Sequence, residues 1–215
     1  MTVQTFTTPG TTAWVCPAGV TSVFVECWGG GGYGFTANIG SAAAGGGGGA
    51  FASGTISVTP GSSYNIVVGN SSGDSQFAAG ANVFAIRGGD ALGRASPGTG
   101  GAAASCVGTT RTSGGNGALG SSGSYGGGGG ASGCPAGNGN NAVNGTGGVA
   151  QTDGGAGGNG GTPVSPNGVG AGVVSPPGGG GGGGCNSNGL GASGVSGQVR
   201  LTYTALNFML FRGIF

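Results

Sequence analysis

Residues 178–184 are consecutive glycines, set between "VSPP" and "CNSNG". Glycine loses more conformational freedom on ordering than any other residue and has no side chain to bury. A run of this kind is therefore either a linker or an element whose backbone itself is packed. The chain then returns to "GQVRLTYTA" (197–205), where Val199, Leu201 and Tyr203 alternate with Gln198, Arg200, Thr202 and Thr204 in the period of a strand. The glycine-rich stretch is thus bracketed by strands, and a structureless loop of that length inside one domain argues against a loop.

The spacing of the glycines points the same way. Gly114, Gly117, Gly120, Gly123, Gly126 and Gly129 keep a period of three. So do Gly133, Ala136, Gly139, Ala142, Gly145, Gly148, Gly154, Gly157 and Gly160, broken at Gln151, and "DGGAGGNGG" (153–161) is a GGX repeat. Three residues per turn is the repeat of the polyproline II helix, which rises about 3.1 Å per residue and makes no internal hydrogen bonds. Without Cβ atoms, neighbouring glycine helices of this kind can bond backbone to backbone. The runs at 29–32, 45–49, 126–130 and 178–184 then read as interior helices and the GGX segments as peripheral ones. Seven residues span roughly 22 Å at that rise. Collagen would require an unslipped register and far more than nine Pro.

The strands lie on either side of this material. "VQTFTTPG", "TAWVCPAG" and "TSVFVECW" open the chain, the last with Val23, Val25 and Cys27 on one face and Phe24, Glu26 and Trp28 on the other. "AFASGTISVTPGSSYNIVVG" (50–69) adds two strands joined by Thr-Pro-Gly, and "NVFAIRGG" (82–89) adds another. The expected fold is all-β: a small antiparallel β-sandwich with a long inserted polyglycine II bundle and essentially no α-helix. The β domain occupies 1–89, including the glycine runs of 29–49. The bundle and its loops occupy 90–197, and 198–205 is the closing strand. An apolar tail, 206–215, carries Leu206, Phe208, Met209, Leu210, Phe211, Ile214 and Phe215, too short to span a bilayer and suited to docking into another chain.

Composition narrows the function. Only 4% of residues are charged, the net charge is +1 and there is no His. No basic surface is available for nucleic acid, and Glu26, Asp74, Asp90 and Asp153 are too scattered for paired-carboxylate catalysis. No enzyme activity, cofactor or metal is expected. No signal peptide or membrane span is visible, so the chain is expected to be made in a cytoplasm. Cys16, Cys27, Cys106, Cys134 and Cys185 read as buried thiols, with a disulfide among Cys106, Cys134 and Cys185 left open.

"TFTTPGTTAWVCPAGVTSVFVECWGGGG", "GGGGGAFASGTISVTPGSSYNIVVG" and "GVSGQVRLTYT", in that order, resemble the glycine-rich domain family common in bacteriophage tail-fibre and other virion-fibre proteins, in which a Pro-containing hairpin opens the domain. The interior is similar to the polyglycine II tips of T-even-type distal adhesins. The resemblance implies a virion structural protein, a tail-fibre or spike component for host-receptor attachment. It also implies virion localisation, or otherwise an extracellular one, with other virion proteins as partners, a homo-oligomer and a host surface receptor such as a glycan. Tyr33, Phe35, Phe77 and Tyr125 are the candidate receptor-binding aromatics, in or near loops 70–80, 90–112, 134–144 and 162–177. A purely structural subunit of a capsid or extracellular filament is the alternative, and an ice-binding protein a remote one.

Overall fold

The computed structural model describes residues 1–38, 41–78, 82–168, 178–185 and 189–205; the expected tail 206–215 lies outside them. The strands are β1 (Thr2–Phe6), β2 (Gly10–Val15), β3 (Ser22–Trp28), β4 (Phe51–Ser57), β5 (Ser63–Val68), β6 (Ser75–Phe77), β7 (Val83–Ala85), β8 (Thr110–Thr112) and β9 (Gln198–Tyr203). They form two antiparallel sheets, β1-β9-β3-β4-β8 and β2-β5-β6-β7. The described residues contain no α-helix, only a 3-10 turn at Ala103–Ser105.

The sheets bury their facing sides. Val23, Val25, Cys27, Ala52, Val199 and Leu201 meet Trp14, Ile66, Val68, Phe77, Val83 and Ala85, all 5% exposed or less. These residues alternate along their strands, which puts one apolar row of each strand on the inner face. Val23, Val25 and Cys27 are the inward row of β3. The outward row is covered at one end only: Trp28 and Glu26 are buried, whereas Phe24 is 40% exposed.

The opening connection differs from the expected hairpin, and the one between the two expected strands of 50–69 takes the same course. "TTPG" (7–10) and "VTPG" (58–61) each cross from one sheet to the other instead of closing a hairpin: β1 pairs with β9 and β2 with β5, while β4 pairs with β3 and β5 with β2. In each, Pro lacks a ladder donor and Gly follows at positive φ, 128° at Gly10 and 79° at Gly61, so the chain leaves its ladder there. Short β6 and β8 fall where no strand was expected. The division at residue 90 also does not separate the two parts, because β8 completes the first sheet from within 90–197 while residues 29–37 and 43–50 leave the sheets and join the glycine segments.

Those segments are neither strand nor α-helix, and they are held by backbone hydrogen bonds between segments. Residues 43–50 show the pattern. The amides of Ala43, Gly46 and Gly49 donate to the carbonyls of Gly184, Gly181 and Gly178; those of Gly45 and Gly48 to Ala118 and Gly115; those of Gly47 and Ala50 to Gly89 and Ile86. In return, Ala43, Gly46 and Gly49 accept from Gly127, Gly130 and Gly133, Gly45 and Gly48 from Gly98 and Gly101, and Ala44, Gly47 and Ala50 from Phe35, Gly32 and Gly29. The segment thus bonds to a different neighbour in each of six directions, and every third residue returns to the same neighbour.

Residues 178–184 are enclosed in a similar way. Gly180 and Gly183 donate to Gly130 and Gly127, and Gly181 and Gly184 to Gly32 and Phe35. Their carbonyls receive the amides of 43–49, of Gly158 and Gly161, and of Ala192 and Val195. The runs 29–32, 45–49, 126–130 and 178–184 are buried throughout, whereas in 153–162 exposure returns at Asp153, Asn159 and Thr162. A Cβ built on Gly181 would overlap the carbonyl oxygen of Ala192. Alanine is tolerated near segment ends, as at fully buried Ala43, Ala44 and Ala50.

Gly181→Val should therefore destabilise the protein by about 3 kcal/mol or more. Gly93→Ala, at a site where an added Cβ meets nothing within 4 Å, should leave the urea midpoint nearly unchanged. Equal, small effects would contradict the enclosed arrangement.

Candidate functional site

The hydrogen-bond registers fix which loops share an end. Gly29, Ala50, Ile86 and Gly178 lie beside the sheets, because residues 29 and 50 follow and precede β3 and β4 and bond to one another, and Gly49 bonds Gly178. At the opposite end Ala43 bonds Gly184, Ala37 bonds Gly189, Gly45 bonds Ala118, and Gly126 bonds Gly161. The loops 92–97, 119–125, 162–167 and the described ends of 185–190 therefore gather at the end away from the β-sandwich. Leu92, Leu119, Val164 and Leu190 stand on them at 82%, 51%, 95% and 58% exposure. Each of these loops thus carries one exposed large apolar side chain.

The four candidate aromatics are not brought together. Tyr33 is 42% exposed; its backbone amide donates to Asp90 Oδ1, which also accepts from Ser72 Oγ. Phe35, on the same segment, is half-buried, its amide donating to Ala44. Tyr125, on the loop that precedes the 126–130 run, is half-buried with its ring against Gly145. Phe77 is corrected: it is fully buried in β6, 5.6 Å from the Tyr64 ring and 6.0 Å from Trp14, and offers no face to a ligand. The "SQF" of β6 alternates in and out like any half-buried strand, but three residues are too few for that period to be read from sequence. The loops 70–80 and 162–177 extend beyond the described residues at 79–81 and 169–177.

Asparagine does work that the sequence reading assigned to turns. Ser113 donates its amide to Asn138 Oδ1 and accepts from Gly139; Leu190 donates to Asn167 Oδ1 and accepts from Gly168. Asn116 donates to Asn141 Oδ1 and accepts from Ala142. Asn116 Oδ1 takes the Gly100 amide and Asn159 Oδ1 the Gly147 amide, while Gly117 and Gly160 donate to Gly98 and Gly145. At the perimeter an outward amide has no further segment to bond, and a short amide side chain supplies the acceptor. The signal for these clasps is the recurrent Asn-Gly or Asn-Ala dipeptide.

Charge is used sparingly. Arg200 donates to Glu26 at 2.6 and 2.8 Å, lies 3.7 Å from Asp153, and stacks 5.2 Å over the Trp28 ring. The hydrogen bonds to Glu26 raise the Arg200 pKa, against the opposing effect of burial, so the guanidinium stays charged. All five cysteines are buried, and no disulfide joins Cys106 to Cys134. Burial, with the Glu26 and Cys106 charges adding to it, pushes the Cys27 thiol far up, so it stays protonated and inert. Among the described residues no group of three or more His, Cys, Asp or Glu could hold a metal ion, and no helix is long and apolar enough to cross a membrane.

Arg200→Met leaves the Glu26 carboxylate buried and uncompensated and should cost about 3 kcal/mol, whereas Arg87→Met, whose side chain makes no ion pair among the described residues, should be near neutral in the same thermal melts. Removing one clasp acceptor, Asn116→Ala, should cost about 1 kcal/mol in urea unfolding, and Asn116→Asp should retain most of it.

No curated protein matches the chain. The family model described as "Glycine-rich domain" matches residues 7–204. That span runs from the first Thr-Pro-Gly crossing through every glycine segment to the residue after β9, and on it the chain belongs to the glycine-rich domain family.

Proposed function

We propose that this protein is a virion structural component of the tail-fibre or spike type, in which a polyglycine II bundle carries host-attachment loops away from a β-sandwich base. The observation that supports the reading is the bonding of residues 43–50 on all sides at intervals of three, which suits three-fold extended helices packed side by side. Such a bundle is stiff without side-chain packing, nearly uncharged, and poor in sites for trypsin-like proteases, since the chain has only five Lys and Arg together. Those properties fit an appendage outside a cell. The attachment surface is the set of loops carrying Leu92, Leu119, Val164 and Leu190, with Tyr33, Phe35 and Tyr125 as flanking aromatics for a surface glycan or protein. On their sequence alone, residues 206–215 are assigned to docking with other virion proteins.

The test is to replace Leu92, Leu119, Val164 and Leu190 together by Ser and measure particle adsorption to host cells alongside thermal unfolding. Adsorption should fall at least tenfold with the melting temperature held within a few degrees. Particles that assemble and adsorb normally would favour a purely structural subunit and overturn the attachment role.

A further inference from the structure

Five Asn-Gly pairs have both members among the described residues: 116–117, 138–139, 144–145, 159–160 and 167–168. All five asparagines are exposed, so exposure does not distinguish them. Hydrogen bonding does. In four pairs the Asn Oδ1 accepts an amide from a neighbouring segment and the Gly amide donates to a neighbouring carbonyl. In the fifth, neither the Asn144 carboxamide nor the Gly145 amide makes a hydrogen bond among the described residues. Asn144 and Gly145 instead occupy the centre of a two-residue turn closed by mutual 3.0 Å backbone bonds between Val143 and Thr146.

The turn geometry adds to the contrast. Asn144 has φ 53° and Gly145 is not at positive φ, the pattern of a type II′ turn, whose first central position ordinarily falls to Gly. In an ideal turn of that type this residue has ψ of about −120°, which rotates the following amide nitrogen toward the residue's own Cβ. That is the approach needed for a five-membered ring to close.

We infer that Asn144 is a spontaneous modification site, converting through a succinimide to aspartate and isoaspartate, while the clasped pairs are shielded by the bonds that hold the glycine segments together. The Gly145 nitrogen loses its proton to solvent base and attacks Asn144 Cγ. The new C–N bond forms as the Cγ–NH2 bond breaks, and ammonia leaves. Water then adds to either ring carbonyl, opening the ring to an aspartyl or isoaspartyl link. In the clasped pairs the same attack requires a bonded amide and a bonded carboxamide both to be released first, so the rate is reduced by the cost of local opening. The product places a carboxylate beside Tyr125, whose ring lies against Gly145, and cancels the formal net charge of +1.

The experiment is incubation of the intact protein at mildly alkaline pH, with peptide mapping by mass spectrometry and isoaspartate detection at each of the five sites, in buffer and in concentrated urea. In buffer, residue 144 should convert at least about tenfold faster than the other four, the equivalent of ~1.4 kcal/mol of opening. In urea the five rates should converge. Comparable rates in buffer, or a preference for 144 that survives unfolding, would overturn the assignment. Asn116→Asp adds an internal check: with its clasp acceptor retained, it should leave the rate at 144 unchanged.

Discussion

An enclosed backbone must satisfy its own amides and carbonyls, and in this protein that obligation organises everything else. Leaving a buried amide or carbonyl unpaired costs about 1–3 kcal/mol, and residues 43–50 present such groups in every direction with no side chains to help. All of them but the Ala44 amide are paired among the described residues, because six other stretches of chain run alongside and the bonds to each recur at intervals of three. The absence of side chains is what permits the approach, since a Cβ at Gly46, Gly47 or Gly48 would overlap the carbonyl oxygen of Gly32, Thr99 or Ala131. Glycine here provides closeness of backbones, and the entropy lost in ordering it is offset by the density of bonds that closeness allows.

The β-sandwich supplies the ordered start that such segments lack. Residues 29–37 leave directly from β3 and 43–50 return directly into β4, so the antiparallel pairing Trp28↔Phe51 sets the register in which Gly29 meets Ala50. Glycine segments in turn cover the sandwich. The Thr112 hydroxyl donates to the Cys134 carbonyl, Gly133 lies against Thr112, and the Trp28–Phe51 ring pair on the outer face, 4.8 Å apart, is fully buried. Farther from the segments the same face opens at Phe24. The two parts therefore share a boundary along the sheet, which is why no single cut in the sequence separates them.

How much of this was legible in the sequence depends on whether a residue's partner was local. Val23, Val25, Cys27, Val199 and Leu201 announced their strands by alternation. The glycine runs announced burial, because a run with no side chain can be ordered only by being surrounded. What could not be read was pairing over distance. The two Thr-Pro-Gly turns have the composition of hairpins, but whether a turn closes a ladder or crosses between sheets is decided by strands elsewhere in the sequence, β9 and β5 for the first and β3 and β2 for the second. Phe77 was misplaced on a binding surface and β6 missed because three residues carry no readable period, and the asparagine clasps were missed because Asn-Gly has the same composition in a turn and at the edge of a packed segment. Residues 143–146 and 138–139 show both uses within one short stretch.

In the function proposed, work is divided along the length of the molecule, with a sandwich base, a glycine-rich middle and loops at the far end that bear Leu92, Leu119, Val164 and Leu190. The middle carries the central claim, and residue-resolved amide hydrogen exchange tests it most directly. The amides of Gly46, Gly48, Gly180 and Gly181 should exchange as slowly as those of core strand β3, only through global unfolding, although no residue in these segments belongs to a helix or sheet. Exchange at the rate of an unstructured chain, with β3 still protected, would show the glycine segments to be linkers and contradict the account.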